Sequence, residues 1–178
     1  DPNRPGSPPV VPCKSPTTGR WERVSGPRAE QLHQAEVEVF ADYNSFELTD
    51  EDADTAAFES DRWIGDLIRD QITAAPGAVG IGTARRMIVS VTLDVFTGPP
   101  NLPADDADQV TEASLTTGGR IAVGKLGFPP SAQVLVPPGT YRVRVHTRGL
   151  NTLSDDLLDG DDSYQIVLWP GSRASPRW

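Results

Sequence analysis

Residues 136–149, VPPGTYRVRVHTRG, and residues 161–171, DDSYQIVLWPG, decide the fold class of this chain. After a Pro-Pro-Gly turn signal, the first stretch alternates apolar residues with the polar residues Arg142, Arg144 and His146. The second stretch repeats the alternation and ends at a Pro-Gly turn. Because side chains alternate between the two faces of a strand, both stretches predict strands with one buried and one solvent-exposed face.

Similar short runs follow one another through most of the chain, with turn residues between them. We count about eight predicted strands, as in sandwich proteins. Their links are short, so mostly antiparallel pairing is expected. The sequence therefore predicts a mainly β fold, a two-layer antiparallel β-sandwich of jelly-roll type.

One segment, residues 55–72, has helical periodicity and predicts a single short amphipathic helix packed on the sheet. Ala75, Pro76 and Gly77 are expected to stop this helix. A doubly wound α/β fold would need several helices, which argues against that class. The predicted apolar face consists of Trp63, Ile64, Leu67, Ile68 and Ile72.

The chain divides into a β-sandwich domain, residues 35–171, and two flanking segments. Residues 1–34 are rich in proline and poor in large apolar side chains, which predicts an extended or disordered tail. Residues 172–178 are predicted to be a C-terminal tail.

Cys13 is the one cysteine, so a disulfide framework is excluded. No run of about 18 apolar residues occurs, so no membrane span is expected. The compartment stays open, with a cytoplasmic setting favoured.

The formal net charge of the chain is −9 at pH 7. Phosphate binding needs a basic face, so nucleic acid is not expected as a partner. A strongly acidic surface suits a basic protein partner and speeds the encounter with it. Solubility alone is the alternative explanation of the charge.

The motifs of common enzyme classes are absent or incomplete. The two histidines, His33 and His146, are far apart and form no zinc-binding pair. No Gly-x-Ser-x-Gly elbow occurs, and a dinucleotide-like run from Gly80 has Arg85 at its third glycine position. A glycosidase would need two carboxyl groups about 5 to 10 Å apart, a distance that a sequence does not show. We expect a non-enzymatic protein without catalytic residues.

Two aspartate-rich segments are the predicted contacts for a basic partner. The first begins like an EF-hand calcium loop, but has Thr55 where the turn needs glycine and Asp61 where a glutamate belongs. We therefore assign no metal ligand and no cofactor, and leave a calcium site of another type as the alternative. In the second segment, Gly160 permits a sharp turn. The predicted partner-binding residues are Asp50, Asp52 and Asp54, and Asp155, Asp156, Asp159, Asp161 and Asp162.

A second function class competes with partner binding. β-Sandwiches also bind sugars through exposed aromatic side chains, a role open to Trp63 or Trp169, although each lies in an apolar pattern that favours core packing. The alternative function is therefore a calcium-dependent carbohydrate- or ligand-binding module, which calcium would stabilise.

Several stretches together resemble the ComJ competence protein family of bacteria. They are residues 40–50, FADYNSFELTD, with Trp63 downstream, residues 77–95, GAVGIGTARRMIVSVTLDV, and the two stretches quoted first. The family consists of small acidic β-sandwich proteins, and its namesake inhibits the DNA-entry nuclease NucA. The resemblance, which spans residues 37–170, implies an inhibitor- or immunity-type partner of a basic nuclease or toxin. Carboxylates would then occupy a DNA-binding cleft in place of phosphates.

Overall fold

The computed structural model describes residues 29–54, 61–103 and 106–177. These residues form ten strands and one α-helix, and no helix among them is both long and apolar enough to cross a membrane. In chain order the elements are β1 (Gln31–Phe40), β2 (Ser45–Asp50), α1 (Asp61–Asp70), β3 (Ile72–Ala75), β4 (Ala78–Gly82), β5 (Ile88–Phe96), β6 (Gln109–Thr117), β7 (Arg120–Gly124), β8 (Ala132–Leu135), β9 (Gly139–Arg148) and β10 (Ser163–Pro170).

The strands form two five-stranded sheets that pack face to face. Sheet A has the order β1-β5-β10-β9-β6, and sheet B has the order β3-β4-β2-β7-β8. Apolar side chains from both sheets form one core, in which Leu48, Ile81, Leu93 and Ile166 are fully buried. The prediction of a mainly β, sandwich-like fold with one helix is confirmed.

Strand pairing among the described residues is mostly antiparallel, as predicted, with one parallel pair in sheet A. β10 is inserted between β5 and β9, and it runs parallel to β5 and antiparallel to β9. Sheet A is therefore mixed, and the sandwich is not purely antiparallel. This insertion places the start of β10 beside the start of β5, at the same end of the molecule.

The helix ends earlier than its periodicity predicts. Gln71 has a φ of 57°, so the chain leaves the helical conformation directly after Asp70. Ile72 then belongs to β3 and is buried in the core. Pro76 and Gly77 form the turn between β3 and β4, and they are not the helix stop that was predicted. The predicted helical residues 55–60 lie outside the described residues.

The folded body extends beyond residues 35–171 at both ends. β1 begins at Gln31, which pairs with Phe96 of β5. At the other end, the backbone groups of Glu112 and Arg177 exchange two hydrogen bonds of 2.8 Å each. Residues 1–28 of the predicted proline-rich tail lie outside the part of the chain that the structure describes.

The polar face of β9 is largely covered by other parts of the chain, whereas the alternation predicts that it is exposed to solvent. Arg142 is buried beneath the C-terminal residues, and it donates hydrogen bonds to Ser114 Oγ and Glu112 Oε2. The Ser114 hydroxyl in turn donates to the carbonyl of Ala174. Alternation distinguishes the two faces of a strand, but it does not show whether other parts of the chain cover the polar one.

His146, on the same face of β9, is fully buried, and neither ring nitrogen has a hydrogen-bond partner among the described residues. Burial, and then the charges of Arg148 and Arg144, lower the pKa of His146 below its ordinary value. Asp106 and Glu112 act in the opposite direction and are outweighed. His146 is therefore neutral in the folded protein.

Acidification should destabilise the fold through His146, because the unfolded chain takes up a proton at this residue more readily than the folded chain. The contribution of His146 is complete above the unfolded pKa of about 6.5 and is lost as the pH falls through it, by at most about 1.4 kcal/mol per pH unit. In His146→Leu, the free energy of unfolding should decrease less steeply as the pH falls, as measured by urea unfolding at several pH values. If the free energy of unfolding depends on pH in this variant as it does in the unchanged protein, His146 is not the cause of the acid destabilisation.

Candidate functional site

The two predicted acidic segments lie at opposite ends of sheet B. β2 starts at Ser45, which pairs with Gly82, and ends at Asp50, where the first acidic segment begins. The second segment ends at Asp162, which forms an ion pair with Arg85, three residues after Gly82. Because β2 advances roughly 3.4 Å per residue, its two ends are about 17 Å apart. The fold does not combine these segments into one acidic surface.

The first acidic segment is partly used within the fold. Asp50 Oδ1 accepts hydrogen bonds from the Thr117 hydroxyl and, at 2.9 Å, from the backbone N–H of Gly118. Asp52 and Asp54 are exposed. Within the described ranges, no three His, Cys, Asp or Glu side chains are grouped so that they could hold a metal ion. The calcium hypothesis stays a prediction.

The second acidic segment belongs to a loop between β9 and β10, residues 149–162, which we call the acidic loop. Gly149 opens the loop with a φ of 79°, and a Cβ at this position would lie 2.6 Å from the carbonyl oxygen of Asp161. Asp156 Oδ1 accepts hydrogen bonds from Ser154 Oγ at 2.6 Å and from Leu158 N at 3.2 Å. These two hydrogen bonds lower the pKa of Asp156 and keep its carboxylate ionised.

The acidic loop has an apolar side and an acidic side. It contains no lysine or arginine, so nothing within the loop neutralises its aspartates. Three of its side chains line the neighbouring cleft, and these are Leu150, Leu153 and Leu157. Four others are exposed to solvent, and these are Asp155, Asp156, Asp159 and Asp161.

Asp162 differs from the other predicted contacts because its residue is only 1% exposed. Its carboxylate accepts hydrogen bonds from Arg85 Nε and, at 2.8 Å, from the hydroxyl of Tyr164. That same hydroxyl accepts a 2.8 Å hydrogen bond from the backbone N–H of Ala84, and burial raises the pKa of Tyr164. Asp162 thus lies outside the exposed acidic surface, and it fixes the end of the loop to the residues that follow β4.

A cleft of about 1020 Å³ opens between α1 and the acidic loop. It lies at the end of the sandwich where β2 and β10 begin and where β4 ends. Trp63 and Leu67 line it as buried side chains of α1, and Leu126 lines it from the chain that follows β7. Four large apolar or aromatic residues are exposed along its walls, and these are Tyr43, Ile64, Ile68 and Leu157.

Close packing of α1 on sheet B explains why two isoleucines face the cleft. Gly80 of β4 allows the contact, because a Cβ at Gly80 would lie 2.6 Å from Cζ2 of Trp63. Trp63 and Leu67 take the buried side of the helix, which confirms Trp63 as a core residue. Ile64 and Ile68 are left 49% and 74% exposed. Helical spacing alone assigned all four residues to one buried face.

The buried carboxylates near the cleft are already engaged with cations. Glu47 Oε1 accepts a 3.0 Å hydrogen bond from Lys125 Nζ, and Glu47 Oε2 accepts a 2.8 Å bond from Leu126 N. Asp162 is held in the same way by Arg85. A general acid or base must instead reach a proton of a substrate. In this arrangement both carboxylates act as structural ion-pair partners.

Two solved structures share this architecture. The crystal structure of ComJ, inhibitor of the DNA degrading activity of NucA, from Bacillus subtilis, matches with a TM-score of 0.59 at 14% sequence identity. The match covers 82% of this chain and 100% of that one. The fold is ComJ-like. Crocagin biosynthetic gene J matches with a TM-score of 0.50 at 18% identity, over 79% of this chain and 100% of the other.

The comparisons with sequences are negative: no model of a known protein family and no curated protein matches this chain. At 14% and 18% identity, the structural likeness establishes the fold alone. The resemblance to ComJ that the sequence predicts is confirmed at the level of the fold.

Tyr164→Phe should lower the free energy of unfolding by about 1–3 kcal/mol, because it leaves Ala84 N–H without its acceptor and Asp162 without one donor. Tyr141→Phe is the matched control, since the Tyr141 hydroxyl donates to the carbonyl of Pro137 and should contribute only about 1 kcal/mol. Urea unfolding of both variants gives the comparison. Equal losses would show that the contact with Asp162 is unimportant for stability.

Proposed function

We propose that this chain is a non-enzymatic acidic binding protein that engages a basic protein partner, a nuclease or toxin, as its inhibitor. The observation that carries the proposal is the acidic loop. It exposes four aspartates, and residues 149–162 contain no lysine or arginine. The ComJ-like fold supports it, because the solved ComJ is described as an inhibitor of the DNA degrading activity of NucA.

The charge of the chain agrees with such a partner. A protein that grips DNA presents lysine and arginine to the phosphates. Exposed carboxylates can bind the same side chains through charge-assisted hydrogen bonds. With a net charge of −9, this chain would also attract a basic protein over a distance and so speed the encounter.

The acidic loop is organised before any partner binds. The backbone N–H of Ser154 donates to the carbonyl of Asp159 at 2.9 Å, and Asp161 N donates to the Thr152 hydroxyl at 2.8 Å. The buried ion pair between Asp162 and Arg85 fixes the end of the loop. Association therefore does not need to order these residues, which lowers its entropic cost.

Removing charge from the loop should slow association with the partner. We expect Asp155→Asn, Asp159→Asn and Asp161→Asn together to reduce the association rate constant about tenfold at low ionic strength, with a smaller effect as salt rises. Asp156 is left unchanged because its carboxylate holds the turn of the loop. The partner is identified by affinity capture from the native cell, and rates are then measured by surface plasmon resonance.

The matched control removes the same number of charges from exposed positions in and beside β1, with Glu30→Gln, Glu36→Gln and Glu38→Gln. This triple variant should change the rate much less than the loop variant. Inhibition is tested directly by adding each protein to a DNA-cleavage or toxicity assay of the captured partner. Equal effects of the two triple variants, or an uninhibited partner, would contradict the proposal.

A further inference from the structure

We infer that the cleft beside the acidic loop is the docking site for a segment of the partner that carries a large apolar side chain flanked by lysine or arginine. The inference rests on the proposed function and adds to it an apolar anchor. The exposed aspartates alone explain attraction to a basic protein, but they do not explain the cleft.

The walls of the cleft present apolar surface that the described part of the chain leaves exposed. Ile68 and Ile64 project from α1 on one side, and Leu157 faces them from the acidic loop. A full-size apolar side chain inserted between them would remove these groups from water. Interfaces between proteins commonly have this composition, with an apolar centre inside a polar rim.

Tyr43 adds an aromatic group at the edge of the cleft, 85% exposed. Its backbone has a φ of 53° and a ψ of 37°, the left-handed region that residues other than glycine rarely adopt. The following residue, Asn44, is held through its side-chain amide by the carbonyls of Thr83 and Ala84. The turn thus keeps a tyrosine in a strained conformation with its ring in solvent, which stability alone does not require.

The negative charge of the acidic loop favours a partner segment with basic residues. The four exposed aspartates belong to the same loop that lines the cleft with three leucines, and Asp156 directly precedes Leu157, so an occupant of the cleft should meet carboxylates of this loop. Basic flanks on the segment would satisfy these carboxylates. A second copy of this chain is a poor occupant, because each copy would bring another acidic loop and a net charge of −9.

The protein variants for the test keep the fold intact, because they change exposed residues. Ile68→Gln removes apolar surface from the cleft at a residue that is 74% exposed. Leu135→Gln is the matched control, at a residue of β8 that is 76% exposed and pairs with Arg120 at the other end of the sandwich. Tyr43→Asn removes the ring and retains a residue type that tolerates the left-handed conformation.

The probes are three short synthetic peptides, measured against the full chain by isothermal titration calorimetry at low salt. The first has a central Leu-Trp pair flanked on both sides by lysine and arginine. The second replaces Leu-Trp by Ala-Ala, and the third replaces the basic residues by glutamate. We expect the first peptide to bind about tenfold more tightly than either of the others. Ile68→Gln and Tyr43→Asn should each weaken it several-fold, whereas Leu135→Gln should not.

The outcomes separate this inference from the proposed function. If the first two peptides bind equally well and only the triple Asp→Asn variant weakens them, the cleft is not an anchor, although the acidic loop still binds basic partners. If the third peptide binds as well as the first, the occupant is not selected by charge, and the inference fails. Absence of binding by all three peptides would also overturn it. Sedimentation velocity showing a dimer that Ile68→Gln dissociates would assign the cleft to a second copy.

Discussion

The buried contact of Asp162 with Arg85 and Tyr164 connects the two sheets at the end of the molecule where the cleft opens. Tyr164 belongs to β10 of sheet A, and its hydroxyl accepts a hydrogen bond from Ala84, which follows β4 of sheet B. Its ring packs edge-on against Phe46 of β2, with centroids 6.1 Å apart. A charged pair in this position is tolerated because each partner is hydrogen-bonded, and the loop that ends at Asp162 is thereby fixed beside α1.

The acidic loop contains buried residues that stabilise the fold and exposed residues to which we assign the proposed recognition. Within the acidic loop, three of the four leucines line the cleft and Asp162 is buried, whereas the other four aspartates remain in solvent. Like charges at such density repel one another, and among the described contacts only the Asp156 carboxylate offsets this cost, through its hydrogen bonds within the loop. Under the proposed function, the cations that balance these carboxylates belong to the partner.

Sequence patterns predicted the fold better than the site, for a physical reason. Alternation along β9 and β10 reflects local geometry, and the apolar face that it predicts in each strand lies in the sandwich core: Tyr141, Val143, Val145, Tyr164, Ile166 and Leu168. Burial of His146 and Asp162 depends on which other segments cover them, so a list of polar residues could not distinguish them from exposed ones. The exposure of Ile64 and Ile68 likewise depends on how α1 lies on sheet B.

By itself, the sequence determined a mainly β sandwich with one amphipathic helix, a strongly acidic character and a likeness to ComJ that the fold comparison supports. These properties follow from the spacing of residues and from composition, both of which are local or additive. Only the tertiary structure decided that the acidic segments lie at opposite ends, that Asp162 is internal and that an apolar cleft borders the acidic loop. Those features arise where segments distant in sequence meet, and no local pattern encodes which of them will be neighbours.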